Sequence, residues 1–147
     1  MSVHVSERKK SNMDVQVKAD ELIKYTLEIT ANEKTFHPKF HILTDKMVDL
    51  AFDIGVNLWE ANKVYVRKDT PNYEANRKLR RMLQDTAIRD CSVFHYYITL
   101  AKRVFHLTTK RTVFWTQLVE TVRTLAIAWR DSDTRRYRND KEIPKAA

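Results

Sequence analysis

Apolar side chains recur along this chain at intervals of three and four, the spacing that stacks them on one face of an α-helix. Val15, Ala19, Leu22, Thr26 and Ile29 form the first such row, flanked by Ile23 and Leu27, while Asp20, Glu21, Lys24 and Glu28 mostly fall outside it. Asp14 can cap this helix and Asn32 ends it, which leaves the polar stretch 1–13 as a flexible arm. The second row is Met47, Ala51, Ile54, Leu58, Ala61 and Tyr65, opened by Thr44 and Asp45; its alternation of four and three is the signature of a bundle seam. About 100° round the same helix lie Val48, Phe52, Gly55 and Trp59, and a helix apolar on two sides touches two partners. Between the two helices, Glu33–Leu43 carries Pro38 and the large residues Phe36, Phe40 and Leu43, which reads as a packed connector.

Thr70 followed by Pro71 predicts an N-cap and a first-turn proline, and no Gly or Pro interrupts the chain from there to His106. A helix of that length spans about 54 Å. Its expected inward stripe is Ala75, Leu79, Met82, Leu83, Val93, Tyr97, Leu100, Ala101 and Val104. The opposite side carries Arg77, Arg81, Gln84, Ser92, His95, Thr99, Lys102 and His106. Thr108 or Thr109 caps a fourth helix with the stripe Trp115, Leu118, Val119, Val122, Leu125, Ala126 and Trp129, ending near Asp131.

With one Gly and three Pro in 147 residues, the chain lacks the turn chemistry of a sandwich, a barrel or a Gly-rich phosphate loop. The expected fold is therefore all-α, an antiparallel up-and-down four-helix bundle over residues 14–131, with a basic, mostly flexible tail over 132–147. No uncharged run approaches the roughly 18 apolar residues of a membrane span. The lone Cys91 cannot form an internal disulfide or a zinc cluster, which suits a cytoplasmic protein with a reduced thiol.

Catalytic patterns are missing from the sequence. There is no Glu-x-x-His for a di-iron site, no Walker loop, no dinucleotide fingerprint and no nucleophile elbow. His37 and His41 are four apart, but Pro38 between them favours a turn over a shared helical face. Cys91 lies beside the third stripe with no acid or base partner in sequence, as a packing residue would. No catalytic residue, metal or cofactor is expected.

Charge changes the picture more. Lys and Arg total 27 against 19 Asp and Glu, a formal +8, and the excess is localised: residues 63–111 hold 12 basic and 4 acidic groups, whereas 1–62 hold 8 and 10. The clusters are Arg67-Lys68, Arg77-Lys78 with Arg80-Arg81, Lys102-Arg103 and Lys110-Arg111, joined in the tail by Arg135, Arg136 and Arg138. Arg77, Arg81 and Lys102 share one side of the third helix, so a positive strip facing phosphates is expected there. A solvated helix face shows the same composition. With no recognition-helix motif, contact with nucleic acid would be to backbone and shape. Trp59 and Phe52 on helix two, and Phe94, Ile98 and Phe105 flanking helix three, exceed what one bundle core easily hides, and predict self-association.

Four stretches carry a resemblance. The run Ala19-Asp-Glu-Leu-Ile-Lys-Tyr-Thr-Leu27, the connector Phe36-His-Pro-Lys-Phe40, helix two from Met47 to its closing Glu60-Ala-Asn62, and Leu125-Ala-Ile-Ala-Trp129-Arg130 before Ser132-Asp133 resemble, in order, the accessory variability determinant (Avd) family of diversity-generating retroelements. That family is related to the four-helix proteins encoded in large-subunit rRNA intervening sequences. The match spans about residues 15–133. The resemblance implies a non-enzymatic, basic, homopentameric barrel that binds the retroelement's reverse transcriptase together with template RNA and RNA/cDNA hybrid. Two other readings stay open: an RNA-associated protein of the rRNA intervening-sequence type, and a helical oligomeric adaptor with a solvated basic face.

Overall fold

The structure, a computed structural model, describes residues 3–137, with side chains from Asp14 onward. Its four helices are α1 (Val3–Thr30), α2 (His41–Lys63), α3 (Tyr73–Phe105) and α4 (Thr109–Arg136), with one 3₁₀ turn at Pro38–Phe40. Each helix packs on its sequence neighbours, and α1 closes the ring against α4. The pairing runs antiparallel: Arg80 meets Asp133 near one end of α3 and α4, and His95 meets Glu120 further along. Four helices arranged this way form a helical bundle with one apolar interior.

The α1, α2 and α4 rows pack as their spacing predicts. Val15, Ala19, Leu22 and Thr26, then Met47, Ala51, Ile54, Leu58 and Ala61, then Trp115, Val119, Val122, Ala126 and Trp129, are all buried. Tyr65 is the exception: the helix stops at Lys63, and the ring points outward. The largest fully buried side chain is Trp115, whose ring stands edge-on to Phe36, Phe94 and Tyr25. Its indole N–H donates to Thr26 Oγ1 at 3.1 Å, which explains a threonine at a seam position. A Cβ at Gly55 would stand 2.8 Å from Ile23 Cδ1, the far end of a half-buried side chain that can turn aside, so α1 and α2 meet closely here without a strict need for glycine.

Helix three corrects the sequence reading. Its buried row is Arg80, Gln84, Ala87, Ile88, Cys91, Phe94, Ile98, Ala101 and Phe105, whereas Leu79 and Met82 are exposed. The polar side chains of Arg80 and Gln84 interrupt the apolar pattern in the first half of the helix, and the adjacent Leu79–Met82–Leu83 set mimics a seam rotated from the true one. Phe94, Ile98 and Phe105 are consequently core residues, and their burial inside one protomer removes them from any contact between copies.

Several boundaries also move. α1 continues back to Val3 through a stretch with no Gly or Pro, so Asp14 lies within the helix and does not cap it. α2 begins at His41, directly after the 3₁₀ turn, whose first turn is capped by His37 Nδ1 accepting from Lys39 N at 3.1 Å. Thr70 hydrogen-bonds back to Arg67 O, and α3 starts only at Tyr73. Thr108 caps α4 as expected, accepting from Arg111 N at 3.2 Å. That helix runs on to Arg136, so residues 132–136 belong to the bundle; the tail expected beyond Tyr137 lies outside the described residues. α3 turns into α4 through His106 in the left-handed region (φ 54°), with Leu107 N–H donating to Lys102 O. This is a Schellman-type stop with a histidine where glycine is usual.

Candidate nucleic-acid interface

The basic residues singled out from sequence divide into three groups by the company they keep. Arg80 is inside the bundle: its guanidinium grips Asp133 through Nε–Oδ2 at 2.6 Å and Nη2–Oδ1 at 3.2 Å, and each side chain is 8% exposed. Gln84 Nε2 donates to the same carboxylate at 2.8 Å, and the Trp129 ring lies under the Arg80 guanidinium with its centroid 5.0 Å away. Burial and a committed carboxylate remove Arg80 from any phosphate-binding set. The sequence contains the clue, since Arg80, Gln84 and Asp133 continue the seam positions of α3 and α4 as polar residues at one end of the bundle.

A second group is paired at the surface. Arg67 holds Asp69 at 2.9 Å and reaches Tyr65 Oη, and these hydrogen bonds raise its pKa above the ordinary arginine value. Arg77 meets Glu74 at 3.0 Å, and Arg81 meets Asp85 at 3.4 Å and donates to Thr134; Arg136, in contrast, is half-buried and lies 3.5 Å from the buried Asp133. Exposed pairs of this kind are worth about 0–1 kcal/mol, so Arg67 and Arg81 can exchange a carboxylate for a phosphate at small cost.

The third group is the most informative. Lys68, Lys78, Lys102, Arg103, Lys110, Arg111 and Arg135 are exposed and form no ion pair among the described residues. Arg138 lies outside those residues. Arg89, which the sequence reading passed over, belongs here too: it is exposed, without an ion pair among the described residues, and lines a recess of about 440 Å³ with Arg77, Lys78, Arg81, Met82, Tyr137 and the carboxylate of Asp85. The correct phase of α3 shows why it matters. Met82, Arg89, Tyr96 and Arg103 stand seven residues apart on the face opposite the seam, about 10.5 Å between successive members. Lys78 lies on the same side, and Met82 and Tyr96 are among the most exposed apolar side chains of the bundle. The positive strip is therefore the outward row of α3, with a second concentration at the α3–α4 turn, where Lys102 Nζ donates to Thr109 Oγ1 at 3.4 Å.

No family model, curated protein or solved structure matches the chain. Function must be read from the surface itself.

Other candidate chemistry is not assembled. His37 and His41 each engage their own segment, His41 Nδ1 lying 3.1 Å from Asp45 Oδ2. Among the described residues no three His, Cys, Asp or Glu side chains gather where a metal ion could be held, and no helix is long and apolar enough to cross a membrane. Asp90 is held above the usual carboxylate range, first by burial and then by the facing Asp53, with Arg89 acting in the opposite sense. Cys91 is fully buried, and its thiol is pushed up to about 12, chiefly by burial and also by Asp90 and Glu120. At pH 8 only about one thiol in ten thousand is then ionised. Native protein should therefore not react with a disulfide reagent such as DTNB over minutes at pH 8, and one equivalent should react once urea unfolds the chain.

On α2, Phe52 and Trp59 are exposed as expected, and Val56 joins them. With Ile23 of α1 they line a recess of about 190 Å³ whose floor is Gly55. Lys63 Nζ lies 4.2 Å from the Trp59 ring centroid. Sequence periodicity missed Val56 because it lies beyond the second row assigned to α2, on the side away from the seam.

Proposed function

We propose that this protein is a non-enzymatic accessory subunit of a diversity-generating retroelement, a cytoplasmic partner of its reverse transcriptase that holds template RNA and the RNA/cDNA hybrid during mutagenic copying. The observation that carries this reading is the set of exposed cations without ion pairs among the described residues, along the outward row of α3 and round the α3–α4 turn. Cations left without carboxylates retain their full attraction for phosphate and release counterions when a polyanion binds. The Avd-like stretches of the sequence support this reading, and the apolar recess at Phe52, Val56 and Trp59 suits assembly into a homopentamer. Five copies of a protomer carrying +8 would multiply the cationic surface offered to one RNA. The polymerase supplies the chemistry; the bundle supplies a charged, shape-persistent support.

Co-expression with a retroelement reverse transcriptase and its template RNA tests this. The expected product is one complex containing polymerase, RNA and a pentamer of this chain, identified by mass and by absorbance at 260 nm. Recovery of this chain alone, as a monomer free of nucleic acid, would overturn the reading.

A further inference from the structure

Beside the α3–α4 turn, a recess of about 720 Å³ opens between α1 and α4, lined by Tyr25, Thr108, Lys110, Arg111, Val113, Phe114 and Gln117. Phe114 is 48% exposed. Its ring is nonetheless fixed: Tyr25 stands edge-on to it, centroids 4.8 Å apart at 68°, and Tyr25 in turn packs against Trp115 at 6.2 Å. A rigid aromatic surface is thus tied through Tyr25 to the buried Trp115 and left half open. Lys110 and Arg111 flank it without ion pairs among the described residues, and no carboxylate lines the recess. The exposed Gln117, one helical turn beyond Phe114, offers an amide with both donor and acceptor.

We propose that this recess is a base-stacking site for single-stranded nucleic acid, in which one unpaired base lies on the open part of Phe114 and the adjoining phosphates rest against Lys110 and Arg111. The proposal rests on the nucleic-acid reading above and adds to it the class of strand that is held. Bases within a duplex are already stacked and cannot lie on Phe114, so the recess selects unpaired segments, whereas the outward row of α3 accepts phosphates of either form. The Gln117 amide can meet a base edge but cannot by itself impose a sequence, which leaves the site tolerant of all four bases. Charge decides between candidate occupants, because two cations without a carboxylate favour a polyanion over an apolar peptide.

Fluorescence anisotropy tests this with a labelled non-pairing 12-nucleotide RNA and a 12-base-pair RNA duplex, on the full chain. Phe114→Ala should weaken single-strand binding roughly tenfold, Phe114→Tyr should restore it, and duplex affinity should change less than about twofold in either variant. A 2-aminopurine in the single strand should lose fluorescence on binding the wild type and not Phe114→Ala. Equal loss of single-strand and duplex binding in Phe114→Ala, or no loss of either, would overturn the stacking site while leaving the α3 row intact. Failure of the wild type to bind either RNA would overturn both readings. Displacement of the single strand by a poly-glutamate peptide at equal charge concentration would also count against it, since such a peptide offers charge without a base to stack.

Discussion

Asp133→Ala is expected to lower stability by about 3–5 kcal/mol, the largest effect of any single charge removal in this bundle. The substitution leaves the Arg80 guanidinium, 8% exposed, facing a void where a carboxylate stood, and takes from Gln84 its hydrogen-bond acceptor as well. Against the 5–15 kcal/mol that holds a domain of this size folded, such a loss is a large fraction of the whole. Urea unfolding followed by circular dichroism should show the midpoint falling steeply. Arg81→Ala, which breaks an exposed pair with Asp85, should cost less than about 1 kcal/mol in the same assay. Replacing both members with apolar residues, as in Arg80→Met with Asp133→Leu, should recover most of the loss, because the penalty lies in the stranded charge. A small effect of Asp133→Ala would mean that water reaches the pair and that Arg80 is available to ligands after all.

The second large effect concerns binding. Lys78→Glu, Arg89→Glu and Arg103→Glu together should weaken RNA affinity about a hundredfold near 0.1 M salt, since each lost phosphate contact removes roughly a fivefold factor there. All three residues are exposed and unpaired among the described residues, so the helical spectrum and the unfolding midpoint should change little. The matched control carries the same change in charge on α1 and α2, as Lys18→Glu, Lys24→Glu and Lys46→Glu, because the α1–α2 connector itself packs on Phe105 beside the α3–α4 turn. Screening over about 10 Å confines its effect to a few-fold. Equal losses in the two triple variants would show that net charge alone attracts RNA and that the α3 row has no special place.

How far the sequence discloses this arrangement differs between helices. α1, α2 and α4 carry buried rows that are apolar, or nearly so, along their length, and their spacing of three and four is visible directly. α3 does not, because the polar end layer built from Arg80, Gln84 and Asp133 falls on seam positions and erases the pattern where the helix begins. That single displacement of phase turned Phe94, Ile98 and Phe105 outward, turned Met82 inward and hid the alternation of Met82, Arg89, Tyr96 and Arg103 on the outer face. A polar residue that continues a seam on two neighbouring helices at the same end is a recognisable sign of a buried ion pair. Opposite charges at positions 80 and 133 supply that sign here.

The candidate interface was legible as composition and not as geometry. Excess charge in residues 63–111 marked the right third of the chain. Which cations stand free depends on carboxylates brought in from elsewhere, such as Asp133 on Arg80, or on local turns that place Asp69 against Arg67. Phe114 escaped notice for a related reason: it neighbours Trp115, which is fully buried, and only the rotation of α4 separates a core ring from an exposed one.

The most direct test of the claim that exposed, unpaired cations on α3 hold nucleic acid is the salt dependence of RNA affinity, measured for the wild type and for the Lys78/Arg89/Arg103 triple variant between 50 and 400 mM KCl on the order of five concentrations. The expected result is a steep wild-type line in log Kd against log salt, and a variant line shallower by about 2, the share of three lost phosphate contacts on a single strand. Two parallel lines, displaced or superimposed, would contradict the claim.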